Sequence, residues 1–185
     1  MDTLSSFAEW VFVHGLEFPG EDRSYGGNTL FVDLIPESCW FSNVRSCVAP
    51  NSWDLIRKIV YVRAGNRCEI CGTRRDPFRG RWIEAHERWK YDDTRRIQKL
   101  VRLIALCSNC HMVTHFGYAQ TRGLAQAAFD RLVRVSGLSV KEANRHIHEA
   151  FSEWEKRSTY SYRLDLSILT DGGICIMDPE ACISL

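Results

Sequence analysis

The stretch LCSNCHMVTH, residues 106–115, sets Cys107 and Cys110 in a Cys-x-x-Cys pair, follows the second cysteine at once with His111, and places His115 four positions on. Two thiols at that spacing can present both sulfurs to one metal ion from a tight turn. Two histidines at i and i+4 lie on one face of a helix, one turn apart, and can share an ion of their own. Two metal chemistries thus overlap in one short segment, and each needs partners from elsewhere in the chain.

For the cysteines the partner is the matching pair Cys68 and Cys71 in CEICG, residues 68–72. Four thiolates around a tetrahedral Zn²⁺, each at about 2.3 Å, leave no position for substrate, so this zinc is expected to be structural. The other four cysteines, Cys39, Cys47, Cys175 and Cys182, show no ligand spacing and read as buried or free thiols. For the histidines the natural third member is His86, in the alternating segment RWIEAHERW, residues 81–89, which reads as a strand. A hairpin stapled to the helix by the cysteine zinc would bring that strand against the helix face. The set His86, His111 and His115 would leave positions open for water and phosphate around a second divalent metal. The bland alternative is that His111 joins or caps the cysteine knuckle while His86 and His115 make ordinary hydrogen bonds.

With 185 residues, 45% hydrophobic and 25% charged, the chain is long enough to bury a core without disulfide staples. Eight cysteines in a reducing compartment favour metal ligation. No apolar run approaches the roughly 20 residues that span a bilayer. The start, MDTLSSFAEWVF, has neither a basic leader nor a small-residue cleavage site. A cytoplasmic protein without a membrane partner is expected. The net charge of +1 conceals an asymmetry: residues 57–134 hold 17 Lys and Arg against 7 Asp and Glu, and the remainder holds 7 against 16. The basic middle points to a polyanion, DNA first and RNA second, although a solvated basic face would read the same way.

Periodicity supplies the elements. TLFVDLI, residues 29–35, reads as a strand ended by Pro36, and Asn51 or Ser52 as the N-cap of an amphipathic helix closed by Gly65. RIQKLVRLIALC, residues 96–107, is the second strand of the hairpin, with KYDDTRR as the loop between. Helices are expected from Ser108 to about Tyr118, near 123–135, and over 139–157, the last opened by the capping box Ser139-Val-Lys-Glu142. Its stripe of Ala143, Ile147, Ala150, Phe151 and Trp154 reads as core packing. YRLDLSIL and ICIM near the C-terminus read as short strands.

The run Cys68-x2-Cys71, then EAHE at 84–87, then LCSNCHMVTH resembles the HNH nucleases over roughly residues 60–118. The resemblance implies an α+β fold with a central ββα-metal core and a four-cysteine zinc site. An N-terminal strand and helix region would flank it on one side and C-terminal helices on the other. The chain then divides into an acidic N-terminal extension (1–56), the HNH domain (57–120) and a helical C-terminal region with short terminal strands (121–185). In that family two adjacent residues on the first strand bind metal and activate water. Aligned so, His86 is a metal ligand with His111 and His115, and Glu87 stands where the base, normally His, is found. The 25-residue step from His86 to His111, followed by His115, is similar to members with three histidine ligands. In the rival register His86 is the base and Glu84 helps to bind metal. Arg102 stands where the family usually has its Asn, five residues before the third cysteine.

The resemblance implies a metal-dependent endonuclease that hydrolyses phosphodiester bonds in DNA, with Mg²⁺, Mn²⁺, Ni²⁺ or Zn²⁺ at the histidines. Glu87 is a weaker base than His unless burial raises its pKa. Arg74, Arg75, Arg79, Arg81, Arg95, Arg96 and Lys99 are expected to touch the phosphate backbone, and Arg102 to reach a scissile or neighbouring phosphate. The alternative is a zinc-stabilised module that kept the frame and lost catalysis, binding nucleic acid or, through its acidic flanks, a protein partner.

Overall fold

The computed structural model describes residues 6–40 and 43–177. The protein is α+β, with one small three-stranded sheet and eight α-helices among the described residues. The long hairpin is its axis. Strand β1 (Ile83–Asp92) pairs antiparallel with β2 (Ile97–Cys107), His86 facing Ile104 and Ile83 facing Cys107, with a bulge between Arg88 and Trp89. Strand β3 (Arg163–Asp165) adds parallel to the start of β2, so β2 is central and β1 is an edge. From Leu100 onward β2 is buried at every position, as a strand covered on both faces must be.

Helices cover the hairpin. Helix α1 (Phe7–His14) and the short α2 (Val44–Cys47) precede α3 (Pro50–Arg63), which packs on β1 and β2. Helix α3 starts at Pro50, whose preset φ suits a first helical position, ahead of the expected cap at Asn51 or Ser52. After β2 come α4 (Ser108–Thr114), α5 (Phe116–Thr121), α6 (Ala125–Ser136) and α7 (Val140–Ser158), and α8 (Ser167–Thr170) follows β3. One hydrophobic cluster joins them, from Trp10 through Ile56, Leu103 and Val113 to Leu132 and Leu169. The Ser139–Glu142 capping box forms as expected. Ser139→Ala should cost about 1 kcal/mol and lower the thermal midpoint by about 2–4 °C. An unchanged midpoint in a melting experiment would show the cap contributes nothing.

Three expected elements differ. Residues 29–35 form no strand, because their backbone is taken up by helices. Val32 N donates to His146 Nε2 at 2.9 Å, Asp33 N to the Thr114 carbonyl at 3.0 Å, and the Leu30 carbonyl accepts from Ser136 Oγ at 3.1 Å. The loop expected over KYDDTRR shrinks to a tight turn, since β1 runs on to Asp92, whose carboxylate accepts from the Thr94 and Arg95 amides. Of the C-terminal strands, only 163–165 forms one; ICIM makes a single bridge, Val48 to Ile176. Helix α1 was not anticipated, although Ser6 and Glu9 form a capping box there.

Ion pairs bind the N-terminal loop to the hairpin. Glu21 receives both Arg63 Nη atoms, at 2.6 and 2.7 Å, and the Leu103 amide at 2.7 Å, all buried. Arg88, stacked 3.8 Å over Phe31, lies 3.5 Å from Asp33. Part of the basic excess of the middle segment is thus interior and matched by acids of the N-terminal segment. No described helix is long and apolar enough to cross a membrane.

Candidate metal centres

Cys68, Cys71, Cys107 and Cys110 converge, their Sγ atoms all within 4.8 Å of one another. The knuckle forms because Gly65 and Asn66, both with positive φ, turn the chain out of α3, and Cys68 N then donates to the Thr73 carbonyl at 2.9 Å. Glu69 docks the knuckle on β2: its amide donates to the Ala105 carbonyl and its Oε1 accepts from the Ala105 amide, each at 2.9 Å. Cys107 ends β2 and Cys110 lies in the first turn of α4. Cys71 and Cys107 sulfurs stand 3.7 Å apart, close to the ~3.8 Å between two sulfurs of a tetrahedral site with 2.3 Å bonds. The four cysteines could therefore hold a metal such as zinc. From α6, Arg131 Nη2 donates to Cys110 Sγ at 3.2 Å and to Cys107 Sγ at 3.7 Å, which offsets part of the negative charge that four thiolates bring. Hydrogen bonding from Cys110 pulls the Cys107 thiol well below its ordinary range. Cys39 and Cys47 are buried and Cys175 is exposed, as thiols outside the cluster; Cys182 lies outside the described residues.

The histidines form a second group, with His111 directly after Cys110 in α4. The ring nitrogens of His86, His111 and His115 also lie within 4.8 Å of one another, a set that could hold an ion. The Nε2 atoms of His111 and His115 are 3.1 Å apart, near the ~3.0–3.4 Å kept by two ligands of one cation at bonds of about 2.1 Å. His86 is 1% exposed, and among the described residues neither of its ring nitrogens has a hydrogen-bond partner. Burying such a group without a partner is costly, and a cation would relieve it. The expected single helix over 108–118 breaks at His115, whose ψ of 47° separates α4 from α5. Burial holds His86 well below its usual pKa and His115 down to about 4. Both are neutral, the form in which imidazole ligates.

Glu84 and Glu87 have different surroundings. Glu84 Oε2 lies 2.9 Å from His111 Nδ1, and that hydrogen bond lowers the carboxyl below its usual range. A carboxylate on Nδ1 orients the ring so that Nε2 faces the cluster, the relation commonly found behind a ligating histidine. Strand alternation sets Glu87 on the opposite face of β1 from His86. Its Oε1 accepts from Val44 N at 3.2 Å, and burial raises its pKa. A cavity of about 920 Å³ runs beside the free edge of β1 and reaches both faces, touching Glu84 and the three histidines as well as Glu87.

Arg102, expected at a phosphate, is instead part of the interior. It is 2% exposed, and its guanidinium donates to the Tyr25 and Gly27 carbonyls at 3.0 and 2.7 Å and to Glu69 at 3.0 Å. It secures the N-terminal loop and has no path to a phosphate. The hairpin turn with its basic residues lies six strand positions beyond His86, about 20 Å away, and Lys99, opposite Lys90, lies four positions away, about 13 Å. There Arg96 stacks 3.4 Å over Tyr160, Lys99 lies 3.5 Å from Asp165, and Arg95 is the most exposed. Arg74, Arg75, Arg79 and Arg81 are exposed, on the loop that leads into β1 near the cysteines. No protein-family model, no curated protein and no solved structure matches the chain.

Proposed function

We propose that the protein is a metal-dependent nuclease of the HNH kind, hydrolysing phosphodiester bonds in DNA at His86, His111 and His115. The observation that carries this is the histidine cluster itself: three imidazole rings from β1, α4 and the α4–α5 junction, bordering a cavity. The four cysteines would fix the β2–α4 junction as a structural zinc site.

His86, His111 and His115 would hold the catalytic ion, which would supply Lewis-acid polarisation of a phosphate oxygen and charge stabilisation at the leaving oxygen. Glu84 keeps His111 in its ligating tautomer. Glu87, on the other face of β1 but lining the same cavity, would take the proton of an attacking water, and its raised pKa makes it a better base than an exposed carboxylate. The exposed arginines before β1 hold the backbone without reading its sequence. Wild-type protein is expected to nick supercoiled plasmid with at least one of Mg²⁺, Mn²⁺, Ni²⁺ or Zn²⁺. A His111→Ala, His115→Ala double variant should give no cleavage above background. If wild type is inert with all four metals on double-stranded, single-stranded and RNA substrates, the nuclease assignment is lost.

One observation favours the alternative, a binding module that kept the frame. Arg102, at the family's Asn position, is a structural tie and can neither orient a base nor touch substrate. That module would bind DNA as tightly in the double variant as in wild type and cut nothing.

A further inference from the structure

The loop between the cysteine knuckle and β1 carries four exposed arginines, Arg74, Arg75, Arg79 and Arg81, and two exposed aromatic residues. Phe78 is fully exposed, at 103%, and Trp82 is 48% exposed. The loop is built to keep them outside. Asp76 and Arg81 exchange backbone hydrogen bonds at 2.9 and 2.8 Å, closing a small hairpin whose tip is the 3₁₀ turn Pro77–Arg79. Gly80, with φ of +64°, takes the left-handed position that closes this tip. Arg75 stacks 5.3 Å from the Trp82 ring and props it. The single acid of the loop, Asp76, pairs among the described residues with Arg79, at 3.7 Å and with the Arg79 side chain mostly in solvent, so the loop remains strongly cationic.

We propose that this loop is a binding site for unpaired nucleic acid, with Phe78 and Trp82 stacking on bases and the four arginines holding the phosphates around them. Charge complementarity fixes the partner as a polyanion, and the aromatic rings select its form. A duplex offers phosphates but keeps its base faces stacked internally, so Phe78 gains nothing from it. A single strand, or a duplex opened at the site, offers a free π-face to each ring. Continuing the alternation of β1 backwards by one residue sets Trp82 on the face of Glu84 and His86. Trp82 and His86 are about 13 Å apart along the strand, so a strand stacked on the loop runs on to the histidines. The inference deepens the nuclease assignment by naming the substrate class, and its binding half does not depend on cleavage.

The test is a binding measurement on the full-length, zinc-replete protein with no other divalent cation added. The probes are a labelled single strand of about 20 nucleotides as DNA and as RNA, the matching duplex, and an abasic phosphodiester strand of equal length. Phe78→Ala and Trp82→Ala should each weaken binding of the base-bearing strands roughly 5- to 100-fold and leave the abasic strand unchanged, while Phe78→Tyr keeps full affinity. Neutralising the four arginines to Gln should weaken all probes and reduce the salt slope on single strands by about three units. Unchanged affinity in both alanine variants, equal weakening on abasic and base-bearing strands, or no wild-type binding at low salt would each overturn the site. Base-dependent binding with no cleavage under any metal upholds the site and removes the nuclease assignment. Cleavage with unchanged binding in both alanine variants does the reverse.

Discussion

Changing Cys68 or Cys110 to serine should yield a chain that does not reach the native state, and wild type as purified should carry about one tightly held Zn²⁺ by elemental analysis. The size of the effect follows from what the cluster joins. Cys68 and Cys71 belong to the exit of α3, Cys107 to the end of β2 and Cys110 to α4, so one ion would close contacts between three elements. Structural zinc in small domains contributes about 10–16 kcal/mol of apparent binding energy, whereas a whole domain is stable by only about 5–15 kcal/mol. Without the ion, four thiols would be left crowded together, two of them facing the Arg131 guanidinium. Denaturant unfolding and near-ultraviolet circular dichroism before and after chelation measure the loss. A chelated, metal-free protein with an unaltered unfolding midpoint would remove the structural zinc.

The second large effect separates the roles of Glu84, His86 and Glu87. Glu87→Gln should keep metal and DNA binding and slow hydrolysis by roughly 10²–10⁴-fold, the scale of a lost general base. His86→Ala should abolish loading of the second metal. Glu84→Gln, which loosens the hold on His111 Nδ1, should weaken that metal by about 10–100-fold, the usual effect of losing a carboxylate behind a ligand. If His86 were instead the base and Glu84 a direct ligand, His86→Ala would retain metal and lose rate, and Glu87→Gln would do little. The 2.9 Å contact between Glu84 and His111 favours the first outcome, since it places the carboxylate behind the ring. Metal titration by calorimetry alongside single-turnover cleavage reads both quantities.

Local signals were legible in the sequence and non-local matches were not. The two Cys-x-x-Cys pairs, the i, i+4 histidines, the alternating hairpin and the Ser139 capping box each declare themselves within a few residues, and each is present in the structure. The segment 29–35 has the composition of a strand, but its partners are a histidine 114 residues away and a helix-end carbonyl. Nothing local could announce them. Arg63, Arg88 and Arg102 counted toward a basic surface, yet each is buried against an acid more than 30 residues distant, Glu21, Asp33 and Glu69. Charge summed over a segment cannot tell an interior cation from an exposed one. Spacing alone allows Glu84 as a ligand; its position behind His111 depends on side-chain direction, which spacing does not give.

Glu69 holds together parts of the molecule that lie far apart in the chain. Its carboxylate takes the Ala105 amide and the side chains of Arg102 and Arg23, and Arg102 in turn grips the carbonyls of Tyr25 and Gly27. The cysteine knuckle, the middle of β2 and the N-terminal loop are therefore expected to open to solvent as one cooperative unit, not as three independent fluctuations. Amide protons around residues 22–27 and around 68–73 should accordingly share one exchange lifetime, and an ion held by the four cysteines would lengthen both together.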